Sequence, residues 1–210
     1  MKQIIFLRPA PYSDRINEKD LISGFDLIGL QKHDPEILVK DTETQNKIKM
    51  IFKKFKPVKI YSSPASRCTQ TAELFNTYFE VSPFLNEIKF SLTGSLDAKF
   101  INKKEPDVNK LRIELVKAFV KNKTIEKPEE VILRINSFMQ MIKNMDGNVV
   151  CISHAFIMKF YEIFFKKNGE ITSSVLFLKS YDWTIKPYDF LGGFIVTVEN
   201  HDMIPKVEIF

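Results

Sequence analysis

Two arginines and one histidine closely follow short apolar segments of this sequence. Arg8 comes directly after the apolar run Ile4–Leu7, and one residue separates His154 from the run Val149–Ile152. Arg67 lies near the start of a helix that is predicted to follow a third such segment. Arginine presents a planar fork of N–H donors that suits phosphate oxygens, and histidine can donate to the same anion. These residue types at these positions predict a phosphate-binding site.

Apolar runs and helical spacing indicate an α/β fold around these residues. Ile4–Leu7 and Val149–Ile152 are continuous apolar runs, which are typical of strands buried on both faces, and Val58–Tyr61 is a third expected buried strand. Helical segments separate them, so we expect a three-layer sandwich with a mostly parallel central sheet and helices on both faces. Ligands bind outside the carboxyl ends of such strands. The fold class therefore predicts that the three candidate residues converge.

Apolar spacing and capping residues predict the other elements of what we expect to be a single domain over residues 1–210. The expected helices are a segment near Lys19–Gln31, then Thr44–Phe55, a helix opened by Ser63–Pro64, Leu111–Val120, Pro128–Met145 and a helix capped by Ser153 that ends near Lys167. The expected further strands are Val81–Leu85, Val175–Leu178, Phe194–Val198 and Lys206–Phe210, some of them antiparallel edge strands.

Helix electrostatics make Arg67 a stronger functional candidate than an ordinary surface arginine. It lies in the first turn of the helix that Ser63–Pro64 is predicted to open. A helix N-terminus presents free N–H groups and the positive end of the helix dipole, so an arginine there is unfavourable unless an anion or an acid is near. His154, at the start of a later helix, is disfavoured in its protonated form for the same reason. It suits a neutral donor to a phosphate oxygen, or a protonated donor beside a dianion.

Each candidate also has an ordinary structural interpretation. Arg8 could simply end a strand at the surface, and His154 could satisfy a local hydrogen bond. Glu87 follows the expected strand Val81–Leu85 and could act as a general acid, or it could be a solvated loop carboxylate. Local sequence alone leaves these alternatives open.

Three segments of the chain, in order, resemble the signature segments of the histidine phosphatase superfamily, also called phosphoglycerate mutase-like. These segments are Lys2–Pro11, Tyr61–Glu73 and Val149–Ala155. The second is the most specific, because it fits the family pattern Ser-Ser-Pro-x-x-Arg-x-x-x-Thr-Ala almost without gaps. The resemblance implies that Arg8, Arg67 and His154 bind phosphate and that Glu87 serves as the acid.

The sequence departs from the family pattern at the position of the nucleophile. The first family motif is Arg-His-Gly, in which the histidine attacks the phosphoryl group, and this chain has Pro9 at that position. Proline has no side-chain nucleophile, so the resemblance implies that no phosphohistidine forms and that Glu87 and His154 keep residual catalytic roles only. Three further residues also differ from the pattern, namely Ala10, Pro11 and Ala155.

Three functions are compatible with this pattern. The first is a non-catalytic pseudoenzyme that binds phosphate, a phosphorylated small molecule or a phosphoprotein. The second is a weak phosphomonoesterase that uses water, His154 and Glu87, and the third is a protein-interaction module with a vestigial pocket. A substitute nucleophile is not expected: neighbouring residues on a helix point about 100° apart, which places Cys68 in the core rather than beside Arg67 in the site.

Composition narrows the class of protein. The net charge of +5 arises from scattered lysines, whereas nucleic-acid binders cluster their basic residues, so no nucleic-acid partner is expected. With no secretory signal, Cys68 and Cys151 are predicted to be reduced core thiols. The longest apolar stretch, Asn148–Phe165, contains charged residues and is too short to span a membrane. We therefore expect a soluble cytoplasmic protein without a membrane partner.

The sequence predicts neither a metal site nor an organic cofactor. Its three histidines, His33, His154 and His201, are dispersed and lack the spacing of paired metal ligands. Gly192-Gly193 has the character of a turn, and neither the glycine-rich dinucleotide motif nor the phosphate-binding loop of ATPases is present. Composition and motifs give no prediction of the oligomeric state.

Overall fold

The fold comes from a computed structural model, which describes residues 2–12, 37, 41–89, 116–167, 188–198 and 206–210. Its strands are β1 (Lys2–Leu7), β2 (Lys59–Ser62), β3 (Glu80–Val81), β4 (Val149–Ile152), β5 (Gly193–Val198) and β6 (Lys206–Ile209). Its α-helices with two defined ends are α1 (Thr42–Phe55), α2 (Ser66–Glu73), α3 (Pro128–Lys143) and α4 (Ala155–Lys166). Residues 116–120 are also helical, and Pro83–Leu85 forms a short 3-10 helix.

The strands form one sheet in the order β3-β2-β4-β1-β5-β6. β4 lies between β1 and β2 and is parallel to both, and β3 is parallel to β2. β5 and β6 continue the sheet in antiparallel orientation. The predicted α/β architecture is confirmed, and its order places the carboxyl ends of β1, β4 and β2 side by side at one edge of the sheet.

Side chains of the central strands alternate between two hydrophobic cores. Phe6 and Cys151 pack with α3 and α4 on one face, whereas Leu7 and Ile152 pack with α1 and α2 on the other. This alternation follows from the two-residue period of a strand. All four side chains are fully buried. The sheet is therefore covered by helices on both faces, as the continuous apolar runs predict.

The start of β5 is held against the end of β1 by a close backbone approach. Gly193 pairs with Leu7, and a Cβ atom added to this glycine would lie 1.9 Å from the carbonyl oxygen of Phe6. The backbone N–H of Arg8 donates to the carbonyl of Gly192 at 2.9 Å. Only a residue without a side chain fits here, and it brings the loop before β5 next to the end of β1.

Two element boundaries differ from the predictions around β3 and α2. The strand predicted over Val81–Leu85 ends at Val81, because a 3-10 helix begins at Pro83. α2 begins at Ser66 rather than at the predicted Ser63–Pro64. The Ser63 hydroxyl instead contacts side chains from other parts of the fold.

The predicted cap of α4 is also wrong. The Ser153 hydroxyl donates to the carbonyl of Leu85 at 2.7 Å, and His154 occupies the N-cap position without a side-chain cap bond. Two of the N–H groups in the first turn of α4 are bound by Glu87, which comes from a distant part of the chain. A long-range contact therefore replaces the expected local cap.

Some predictions fall on other parts of the chain. The helix near Lys19–Gln31, the strand Val175–Leu178, the first part of Leu111–Val120, His33 and His201 lie outside the described residues. Within the described residues, no helix is both long and apolar enough to cross a membrane. In the same part of the chain, no group of three or more His, Cys, Asp or Glu side chains could hold a metal ion.

Candidate functional site

Arg67 and His154 meet at the carboxyl edge of the sheet. Arg67 is the second residue of α2, which follows β2, and His154 directly precedes α4, which follows β4. One guanidinium nitrogen of Arg67 (Nη2) lies 2.8 Å from the imidazole Nδ1 of His154. Their exposed fractions are only 9% and 5%. Two of the three residues predicted to bind phosphate are therefore in direct contact and largely removed from water.

Hydrogen bonds fix the proton position on the His154 ring. Arginine can only donate, so Nδ1 is the unprotonated acceptor and Nε2 carries the proton. Nε2 donates to the hydroxyl oxygen of Ser63 at 2.8 Å, and that hydroxyl donates to Oδ1 of Asn86 at 3.1 Å. This chain of bonds orients the imidazole, with Nδ1 directed at Arg67.

The surroundings of His154 favour its neutral form. Burial lowers its pKa well below the usual value, and the positive charges of Arg67, Arg134 and Arg8 lower it further. A cation adds to the cost of protonating a buried imidazole. The free site is thus a neutral histidine surrounded by three arginines, and its electrostatic potential favours an anion.

Arg8 lies at the end of β1, where the sheet order places it next to His154. Its Nη1 donates to the carbonyl of Tyr188 at 2.6 Å. The centre of its guanidinium (Cζ) lies 4.2 Å from the ring centroid of Phe190. Both partners belong to the segment before β5, so the close β1–β5 pairing also positions the Arg8 side chain.

Backbone contacts hold Pro9 and Ala10, which follow Arg8 and are both buried. The carbonyl of Pro9 accepts a hydrogen bond from the N–H of Leu191 at 3.3 Å. The N–H of Ala10 donates to the hydroxyl of Thr71 at 2.9 Å, and this hydroxyl donates to the carbonyl of Arg67 at 2.6 Å. The end of β1 is thereby tied to α2 and to the segment before β5 without a polar side chain at position 9.

Glu87 contacts the first turn of α4, which begins directly after His154. Its carboxylate accepts hydrogen bonds from the N–H groups of Ile157 at 2.9 Å, Phe156 at 3.2 Å and its neighbour Ile88 at 3.0 Å. Burial raises its pKa, although these N–H groups and Arg67 act in the opposite direction. The carboxylate anchors the helix that begins after His154, and its catalytic role stays a prediction.

Several residues at the site are absent from the sequence-based prediction. Cys68 is buried as predicted. Its Sγ also lies 3.6 Å from Nε2 of His154, because the imidazole contacts both Arg67 and Cys68. Ser63 belongs to the specific second motif, so its position there was an available signal. No local pattern points to the other missed residues, which are Tyr12, Asn86, Arg134, Tyr188 and Phe190.

Arg134 joins the site from α3. Its guanidinium donates to the carbonyl of Asn86 at 2.5 Å and forms an ion pair with Glu126 at 2.8 Å. Since Asn86 also accepts from Ser63, this arginine supports the segment that orients His154.

Sequence comparison places most of these residues in a known family. The model of the histidine phosphatase superfamily (branch 1) matches residues 30–165, more than half of the chain. That match includes Arg67, Glu87 and His154 and begins after the Arg8–Pro9 segment. No curated protein matches the chain at a significant level.

Solved structures with the same fold are phosphatases of low sequence identity. A mycobacterial glucosyl-3-phosphoglycerate phosphatase in complex with VO3 has a TM-score of 0.66 and 13% identity, and the match covers 100% of this chain and 98% of that one. A phosphoserine phosphatase from Entamoeba histolytica, with one histidine replaced by alanine and phosphoserine bound, has a TM-score of 0.61 and 15% identity, covering 100% and 96%. The same enzyme in complex with 3-phosphoglyceric acid has a TM-score of 0.60, with equal identity and coverage.

Proposed function

Because the chain belongs to the histidine phosphatase superfamily, we propose that it binds a phosphate-bearing ligand through Arg8, Arg67 and His154 without forming a phosphohistidine. The observation that carries this proposal is the buried 2.8 Å contact between Arg67 and His154 at the edge where β1, β4 and β2 end. Arg67 and His154 come from distant parts of the chain and are in contact there, and Arg8 lies at the end of the adjacent strand.

Charge and hydrogen bonding at this site suit a phosphate group. A bound dianion would receive bonds from the cationic arginines in which both partners are charged, and these are stronger than the bond that Arg67 now makes to the neutral imidazole of His154. Burial is the main cause of the low pKa of His154, and the anion would offset the positive charges that lower it further, so that a protonated Nδ1 could donate to the anion. The exchange of one internal bond for several bonds to the anion favours binding.

Pro9 is the reason for proposing a binding protein rather than a phosphohistidine enzyme. Its ring offers no nucleophile, and the family mechanism needs one at this position. The phosphoserine phosphatase with one histidine replaced by alanine is described in complex with phosphoserine, which supports ligand binding by a member of the fold that has lost a histidine. We propose that the ligand is a phosphorylated small molecule or a phosphoprotein and that the protein acts in the cytoplasm.

Calorimetry with orthophosphate tests this proposal directly. Arg67→Gln is expected to weaken binding about 10-fold to 100-fold, because hydrogen bonds to charged groups contribute about 1.5–3 kcal/mol. Arg8→Gln should act in the same direction. Lys47→Gln is the control, because it removes one positive charge from the exposed surface of α1 and should leave binding within about twofold. The absence of binding by the unmodified protein at millimolar orthophosphate would refute the proposal.

A weak phosphomonoesterase is the second candidate, and the observation that favours it is Glu87. Its carboxylate has a raised pKa and accepts hydrogen bonds from the first turn of α4, which begins directly after His154, and this suits a proton donor to a leaving group. In this case the unmodified protein would slowly hydrolyse 4-nitrophenyl phosphate. The activity should survive repeated purification and disappear in both Glu87→Gln and His154→Ala, whereas a contaminating phosphatase would be unaffected.

A further inference from the structure

Two aromatic side chains adjoin two of the three arginines at the site, Arg8 and Arg67. The Cζ atom of Arg8 lies 4.2 Å from the ring centroid of Phe190, and that of Arg67 lies 5.2 Å from the ring centroid of Tyr12. The two rings contact each other edge to face, with centroids 5.1 Å apart and planes at 83°. We call them the Tyr12–Phe190 pair. Both side chains remain partly exposed.

The backbone holds the Tyr12–Phe190 pair in place. Tyr12 forms an antiparallel bridge with Ile37, and Phe190 precedes Leu191, whose N–H donates to the carbonyl of Pro9. Tyr12 is therefore held by its bridge to Ile37, and Phe190 is held by the bond between its neighbour Leu191 and Pro9 at the end of β1. A wall fixed in this way does not have to be ordered when a ligand binds, which favours affinity.

The geometry defines where a ligand can bind relative to the rings. An aromatic ring that stacks on a guanidinium group covers one side of the guanidinium plane. The N–H donors of the guanidinium lie in that plane, so the ring does not block them. Phosphate oxygens would accept from those in-plane donors of Arg8 and Arg67. The group esterified to the phosphate then lies close to the Tyr12–Phe190 pair, whose partly exposed ring surfaces favour an aromatic group over a hydroxylated one.

We propose that the Tyr12–Phe190 pair is the subsite for the aromatic group of an aryl phosphate monoester. The inference rests on the phosphate-binding function proposed above and specifies its ligand class. An added aromatic contact is expected to increase affinity about threefold to tenfold over a saturated ring of the same size, which corresponds to the energy of an aromatic pair.

Calorimetry with three ligands tests this subsite. Phenyl phosphate and cyclohexyl phosphate have rings of similar size and share the phosphate, and orthophosphate has no ring. The unmodified protein should bind phenyl phosphate about threefold to tenfold more tightly than cyclohexyl phosphate. Tyr12→Leu and Phe190→Leu should reduce this ratio towards one. Tyr12→Phe keeps the ring and should preserve the ratio, which makes it the matched control.

The outcomes separate the subsite from a purely supporting role of the rings. If the leucine variants weaken all three ligands by the same factor, the rings only hold the arginines, and the subsite is refuted. If orthophosphate binds the unmodified protein but phenyl phosphate has no advantage over cyclohexyl phosphate, the inference fails while the proposed function stands. If no ligand binds at all, both fail.

Discussion

The ends of β1 and β4 lie side by side in the sheet, yet they are built in different ways. After β1, the segment Arg8–Ala10 is positioned through main-chain N–H and carbonyl groups, including the carbonyl of Pro9 and the N–H of Ala10. After β4, the imidazole of His154 is positioned by side chains, with Arg67 on one nitrogen and Ser63 on the other.

This difference makes the geometry of the β4 end depend on its side chains more than that of the β1 end does. The main-chain bonds at the β1 end do not depend on the side chain at position 9, so proline can occupy it without leaving a buried polar group unsatisfied there. At the β4 end, a change of His154 would leave the buried donor of Arg67 without this acceptor, which costs about 1–3 kcal/mol. The β1 end is therefore more tolerant of substitution than the β4 end.

The largest expected effect comes from restoring a nucleophile at the β1 end. Pro9→His combined with Ala10→Gly should raise hydrolysis of an aryl phosphate by at least about 100-fold, because losing the nucleophile of a covalent mechanism can cost far more than that. An acid-labile phosphoenzyme should be detectable by mass spectrometry. Pro9→Ala with Ala10→Gly is the control and should show no gain. If the histidine variant folds, binds orthophosphate and stays inactive, the difference between the two ends is not confined to the missing side chain.

A loss of stability should follow when Thr71, whose side chain accepts a hydrogen bond from the β1 end, is changed. Thr71→Val removes the acceptor of the buried Ala10 N–H and should lower the free energy of unfolding by about 1–3 kcal/mol. Thr69→Val on the same helix is the control, since the Thr69 hydroxyl bonds to the nearby carbonyl of Ser66 within the helix and the expected change is below about 1 kcal/mol. Urea denaturation measures both. Equal stability of the two variants would mean that the Ala10 bond does not secure this end.

The pH dependence of anion binding tests the β4 end and should be the smallest effect. The pKa of His154 lies well below its usual value in the free protein, and a bound anion would raise it. The complex then binds more protons than the free protein, so affinity should rise as pH falls through the pKa of His154 in the complex, by at most about tenfold per pH unit. Sulfate is the appropriate probe, because it stays a dianion over this range.

His154→Gln provides the matched control for that titration. Glutamine keeps a polar side chain but cannot take up the proton, so its sulfate affinity should be nearly independent of pH between 5 and 8, an interval of about 3 units around the ordinary pKa of histidine. Calorimetry in buffers of different ionisation enthalpy should also detect proton uptake by the unmodified protein alone. A pH dependence of equal size in both proteins would assign the proton to another group.

Local sequence was sufficient for the parts of the fold that depend on burial alone. Val149–Ile152 is a strand at the predicted residues, because four consecutive apolar side chains must be covered on both faces of the sheet. The position of Arg67 in the first turn of a helix was likewise predicted from the Ser-Pro pair upstream, even though α2 begins at Ser66 rather than at the expected Pro64.

Long-range contacts decided what local sequence could not. Ser153 has the residue type of a helix cap, but its hydroxyl is used by Leu85, and Glu87 binds the first turn of α4 from 70 residues away. The pairing of Tyr12 with Phe190 depends in the same way on β1 and β5 being neighbours. Contacts of this kind depend on the order of the strands in the sheet, which no local sequence pattern predicts.

The position of β1 in the sheet also affects how the protein is made. In this strand Ile4 pairs with Val149 of β4 and with Val196 of β5, both of which are synthesised long after it. At cellular translation rates, a nascent chain would carry the apolar Ile4–Leu7 segment unpaired for roughly ten seconds or more. During that time the segment is a target for chaperones and for aggregation. The ligand site can assemble only at the end of this interval, so ligand present during synthesis would stabilise the finished sheet without guiding its early steps.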